Sequence, residues 1–160
     1  MSKKRLSIVE LPTGQRRRFL LMFRRQLAKW KLKMPRVKPL IMDFGLRDFA
    51  KTGLIEMWLA NELKAGYCGK FLFVFDGQTC PYHHHVIKHE TFFVMKGQVC
   101  MKVNGKSRIL REGGLLAMAT GTKHSFEGIG PALLLEVSQP SVPHDSYFQN
   151  KKIGRNGRFI

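Results

Sequence analysis

Between residues 15 and 33 the apolar positions Phe19, Leu20, Phe23, Leu27 and Trp30 recur at intervals of three and four among Arg and Lys. This is the period of a basic amphipathic helix, which Pro35 and Pro39 bring to an end. From residue 39 onward the period shortens. Short apolar or alternating runs are separated by Gly and Asn, which predicts strands over 54–61, 70–75, 91–96, 98–103, 106–110, 115–120, 124–127 and 132–138. Asn104-Gly105, set between Val103 and Lys106, has the composition of a two-residue hairpin turn. Eight short strands in about 85 residues suit a small sandwich or a jelly roll barrel closed on itself. The expected organisation is a basic helical extension over 1–38 and one β domain over 39–160.

Charge adds a second distinction between these parts. Of a net charge of +17, residues 1–38 carry +12, from thirteen basic residues and one acid, Glu10. The helix either packs its Phe and Trp face on the domain with its charges solvated, or uses them to reach nucleic acid or an anionic membrane surface. At 160 residues and 44% apolar content the chain is long enough for one globular core. The longest apolar runs, 19–23 and 71–75 among them, are five residues each, against the roughly 20 that a transmembrane helix needs. Cys68, Cys80 and Cys100 are odd in number and lack C-x-x-C spacing, so they form neither a disulfide framework nor a zinc ribbon, and a cytoplasmic location suits them.

The chemistry lies in the histidines, four of which fall within the seven residues 83–89. In an extended segment His83 and His85 share one face and His84 takes the other. Glu90 can return its carboxylate to the same pocket after a short turn, and His124 can close the shell from a distant strand. Three imidazoles and a carboxylate form a mixed N/O site that suits Mn, Fe, Ni, Co or Zn better than Ca or Mg.

The spacing Gly77, His83-x-His85, Glu90, Gly97 resembles the first cupin motif, and Gly113, Gly121 and His124 fall where the second motif expects them. Ala119 and Gly128 depart from that second motif, where proline and asparagine are usual. The run 43–54, Gly77-Gln78-Thr79-Cys80-Pro81 and the His-x-His-x-x-Lys-x-Glu segment resemble the D-lyxose isomerase family of cupin sugar isomerases. The similarity extends over roughly 30–148, and Glu90-Thr91-Phe92-Phe93 departs from the acidic, Asn-containing run usual there. The resemblance implies a cupin-type jelly roll with His83, His85, Glu90 and His124 as ligands of one divalent metal, manganese first. It implies acid and base roles for Lys88 and Glu136, in an order left open, and a sugar-binding role for Asp145. The implied reaction is aldose–ketose isomerisation of a small sugar or sugar derivative through an enediol(ate), by a homodimer.

Two other readings compete. Three His and one Glu can also hold Fe or Ni for a cupin dioxygenase, and a non-catalytic sugar-binding or regulatory cupin could use the basic helix to reach nucleic acid or membrane.

Overall fold

The computed structural model describes Leu11 and residues 13–159. The basic start with Lys3, Lys4, Arg5 and Glu10 lies outside the described residues. Helix α1 spans Thr13–Lys29, so it ends four residues before the predicted limit. The reason is a left-handed residue, Lys31, at φ 55°. Leu32 N–H bonds the Leu27 carbonyl and Lys31 N–H bonds the Ala28 carbonyl, the paired bonds that close a helix at a left-handed residue.

Nine strands follow: β1 (Leu40–Met42), β2 (Leu54–Glu62), β3 (Tyr67–Val74), β4 (Thr79–His84), β5 (Glu90–Val103), β6 (Lys106–Arg111), β7 (Leu115–Met118), β8 (His124–Ser138) and β9 (Tyr147–Phe148). All the pairings between them are antiparallel. The predicted strands 91–96 and 98–103 are one strand, β5, and 124–127 and 132–138 are one strand, β8. Both bend and serve two layers. The first half of β8 pairs with β4 and the second half with β3, while β5 follows β8 along both halves. One layer therefore reads β1-β2-β3-β8-β5-β7 and the other β9-β4-β8-β5-β6, which is the jelly roll arrangement expected.

Glycine makes the bend close. Gly97 on β5 sits at φ 76°, and a Cβ there would run into the Pro131 carbonyl oxygen on β8. A Cβ at Gly128 would likewise meet the Phe75 carbonyl oxygen, which accounts for glycine where the motif usually has asparagine.

The layer that contains β2 and β3 is covered on both faces. Leu54, Leu72, Val74 and Leu134 face the barrel interior, while Ile55, Met57, Phe73 and Leu133 face outward beneath Phe23 and Leu27 of α1. The helix thus packs on the domain, with Phe23 against Phe73 at 4.9 Å and Phe19 against Phe49 at 4.6 Å between ring centroids. Burial on both faces is why β2 opens with four successive buried residues.

Candidate metal centre

Strand alternation turns His83 on β4, Glu90 at the start of β5 and His124 at the start of β8 into the barrel, and register places His83 opposite His124. His85 follows β4 directly. Its carbonyl accepts the Gly121 N–H at 2.6 Å, which ties the first histidine segment to the turn that delivers His124. The donor atoms of His83, His85 and His124 lie within 4.8 Å of one another. Glu90 joins them, with Oε1 3.4 Å from His85 Nε2 and Oε2 3.2 Å from His124 Nε2.

Each imidazole is oriented through its other nitrogen. His83 Nδ1 donates to the Pro81 carbonyl at 2.7 Å, His85 Nδ1 to the Asp145 carbonyl at 2.9 Å and His124 Nδ1 to the Thr122 carbonyl at 3.0 Å. A carbonyl can only accept, so the proton of each neutral ring sits on Nδ1 and the Nε2 lone pair is free to ligate. Burial, reinforced by the neighbouring imidazoles, pushes His83 well below its ordinary value of 6.5 and keeps the ring neutral. Burial alone would raise Glu90. The close approach of His124 and His85 and the Lys88 charge outweigh that and hold it well below the usual carboxylate range.

This arrangement is internally uncompensated without a cation. Among the described residues His124 Nε2 is buried without a hydrogen-bond partner, and lone pairs from the rings converge on an ionised carboxylate. Two donors each about 2.1 Å from one ion stand about 3–4 Å apart, which brackets the 3.2 and 3.4 Å separations to Glu90. The residues fit a divalent transition metal, and His83, His85, Glu90 and His124 are the ones that would hold it.

Beside this cluster lies a buried chain of opposite charges. Lys88 Nζ pairs with Glu90 Oε1 at 2.7 Å and donates to Glu136 Oε1 at 2.9 Å. Ser138 Oγ donates to the same Glu136 oxygen at 3.0 Å. Lys70 Nζ stands 3.3 Å from Glu136 Oε2 and 3.4 Å from Glu56 Oε1, and 4.9 Å over the Trp58 ring. Burial lowers the Lys70 pKa, but the Glu136, Glu56 and Glu90 charges overcome it and raise the ammonium above an ordinary lysine. These groups line a cavity of about 60 Å³, room for about four waters. Phe44, Phe148 and Phe159 wall its other side, Phe159 lying parallel to Phe44 at 6.4 Å. Cys80 also lines it, and burial pushes its thiol well up, away from nucleophilic chemistry.

Of the sequence-predicted site residues, the structure brings His83, His85, Lys88, Glu90, His124 and Glu136 together. Asp145 is placed differently. Its carboxylate accepts the backbone N–H groups of Val86, Ile87 and Lys88 at 2.9 to 3.0 Å, and it is turned to that loop rather than to the cavity. Asp145 holds the loop that presents Lys88, with three consecutive backbone donors on its carboxylate. His84 faces away and stacks on Tyr147 at 5.1 Å. His89 and His144 are exposed and outside the cavity.

Glu56 and Lys70 went unrecognised in the sequence. The available signal was parity: Glu56 is two residues from inward Leu54, and Lys70 is two from inward Leu72. A charged residue in register with the core face of a strand belongs to the interior.

Residues 72–138 match the cupin domain family. The chain is 31% identical to a D-lyxose ketol-isomerase from Cohnella laeviribosi over 72% of this chain and 78% of the relative. It is 40% identical over 72 residues to a D-lyxose/D-mannose isomerase from Thermosediminibacter oceani, spanning 41% of this chain and 39% of that protein's length. An L-ribose isomerase from Acinetobacter sp. DL28, solved as a variant with L-ribose, shares the fold with a TM-score of 0.67 at 14% identity, covering 83% of each chain. A metal-fitting cupin pocket and a relative matched along more than two thirds of both chains lead to one conclusion: the chain belongs to the D-lyxose ketol-isomerase family of cupins.

Proposed function

We propose that this protein is a metal-dependent ketol-isomerase that interconverts a small aldose and its 2-ketose through an enediol(ate). The observation that carries the reading is the buried Lys88–Glu136 pair, 2.9 Å apart, adjoining Glu90 of the ligand set. A bound divalent ion, with manganese the first candidate, supplies positive charge opposite the negative charge that develops on the sugar oxygens.

The chain's own residues supply the proton movements. Isomerisation takes a proton from C2 and returns one to C1, while a hydroxyl proton passes from O2 to O1. Glu136, which accepts hydrogen bonds from Lys88 and Ser138 and pairs with Lys70, takes and returns the carbon-bound proton at a carboxylate oxygen. Lys88 Nζ gives and recovers the oxygen-bound proton. Lys70 and Ser138 hold Glu136 in place, and the phenylalanine wall keeps bulk water from the reacting carbons. A proton-handling pair beside the ligands favours this chemistry over the dioxygenase reading, which gives Lys88 and Glu136 no task.

Proton NMR in deuterated water tests the reading, with the manganese-loaded chain and a panel that includes D-lyxose, D-mannose, L-ribose and their phosphates. Conversion with loss of a C1 or C2 proton supports it. Metal-loaded protein that exchanges no proton across the panel overturns it. We also propose a homodimer and a cytoplasmic location; the free thiols of Cys68, Cys80 and Cys100 suit a reducing compartment.

A further inference from the structure

We propose that the outward face of α1 and the segment that follows it bind the phosphate backbone of a nucleic-acid duplex without reading its sequence. On the helix, Arg17, Arg18, Arg24, Arg25 and Lys29 are exposed. In the segment after it, Lys31, Lys33, Arg36 and Lys38 are exposed while Leu32, Met34 and Val37 pack on the barrel. Nine exposed cations therefore fall within residues 17–38. No acid occurs between Glu10 and Asp43, and among the described residues none of the nine is paired with a carboxylate. The cavity chemistry uses none of them, so this inference stands independently of the isomerase reading.

A surface with this charge attracts a partner of opposite charge. Seventeen helical residues extend about 25 Å, which runs alongside about seven phosphates of one duplex strand. Arg17 and Arg24, like Arg18 and Arg25, are seven residues apart, so each pair repeats about every 10 Å along the same face. The duplex is favoured over a membrane because the apolar face an interfacial helix would insert is already covered: Phe19, Phe23 and Trp30 lie against Phe49 and Phe73. Leu21 and Met22 are the large apolar side chains α1 leaves exposed. The same packing withholds the aromatic rings that would stack on unpaired bases. What is left is a run of exposed cations, which neutralises a backbone and carries no base readout.

Fluorescence anisotropy with the full metal-loaded chain and two labelled DNA duplexes of unrelated sequence, each about 24 base pairs, tests this over about 50–200 mM salt. The expected result is equal affinity for both duplexes, with a loss of about 10²- to 10⁵-fold across that range for four to nine neutralised phosphates. Replacing Arg17, Arg18, Arg24 and Arg25 by Gln should weaken binding and flatten the log–log salt slope by about 3–4. If that variant does not fold, replacing Lys31, Lys33, Arg36 and Lys38 by Gln outside the helix makes the same test. Absence of binding at the lowest salt, an unchanged slope in a folded variant, preference for one sequence, or tighter binding to the single strand or to phosphatidylserine-containing vesicles would each overturn the proposal.

Discussion

Lys88 and Glu136, 48 residues apart in sequence, meet at 2.9 Å with neither side chain more than 3% exposed. The contact depends on the loop before β5 and the second half of β8 reaching one cavity from different layers. Replacing Lys88 by Gln should leave the metal bound and reduce turnover by about 10²- to 10⁴-fold, the range for losing a positioned proton donor. Truncating one member of a buried pair also costs about 3–5 kcal/mol of stability, so circular dichroism must first establish that the variant folds. Metal content by elemental analysis and kcat on the preferred sugar decide the matter; a folded variant with full turnover would remove Lys88 from the chemistry.

Asp145 acts on Lys88 through the backbone. Asp145→Ala keeps the carbonyl that orients His85 and removes the carboxylate that gathers the N–H groups of residues 86–88. Metal affinity should therefore stay close to that of the parent while kcat falls by about 10²-fold, as expected when a reacting group is displaced by about 1 Å. Equal losses of metal and turnover would instead mean that Asp145 supports the ligand shell as a whole.

Acid should destabilise the metal-free protein in two steps with the same sign. The folded-state pKa of His83 lies below its ordinary 6.5. The unfolded chain therefore binds the proton first, and stability falls as pH drops below about 6.5. Glu90, held below its ordinary 4.5, contributes stability above that value that is lost as pH falls through its folded pKa. Urea unfolding of EDTA-treated protein between pH 8 and pH 4 reads this out, and His83→Gln should flatten the upper limb only.

Metal binding should stabilise the fold, because the four ligands come from three strands and the loop between two of them. At a free metal concentration of about 100 Kd the gain is about 2.7 kcal/mol, which for a chain of this length raises Tm by about 5–10 °C. Thermal unfolding with EDTA and then with manganese restored measures it, and His85→Ala should abolish the difference.

The ligand set was legible in the sequence because its members sit at fixed offsets: His83 and His85 share a face by strand alternation, and Glu90 follows within one turn. Lys70 and Glu56 were hidden for the opposite reason, since each is a lone charge in an apolar run and its partners lie on neighbouring strands. Asp145 illustrates a different limit. Its carboxylate gathers three backbone amides from a loop 57 to 59 residues away, a contact that no local pattern announces. The closing of the barrel by Phe159 against Phe44 and Phe148 also depends on a chain reversal after β9 that no local pattern announces. The continuity of β5 and β8 escaped sequence reading because Gly97, Gly128 and Gly130 look like turn punctuation, whereas in the fold they are corners within a strand.

That corner gives β8 an arithmetic of its own. His124 and Glu136 are twelve positions apart on one strand and both face inward, an even separation that survives only if the residues through the Gly128–Gly130 bend keep their number. Loops elsewhere can lengthen by one residue and be absorbed. An insertion of one residue here would rotate Glu136 to the outside and bring Leu135 into its place, exchanging a carboxylate for an isobutyl group in the cavity. Along a regular strand, the inward parity of Glu136 is kept by length changes in steps of two.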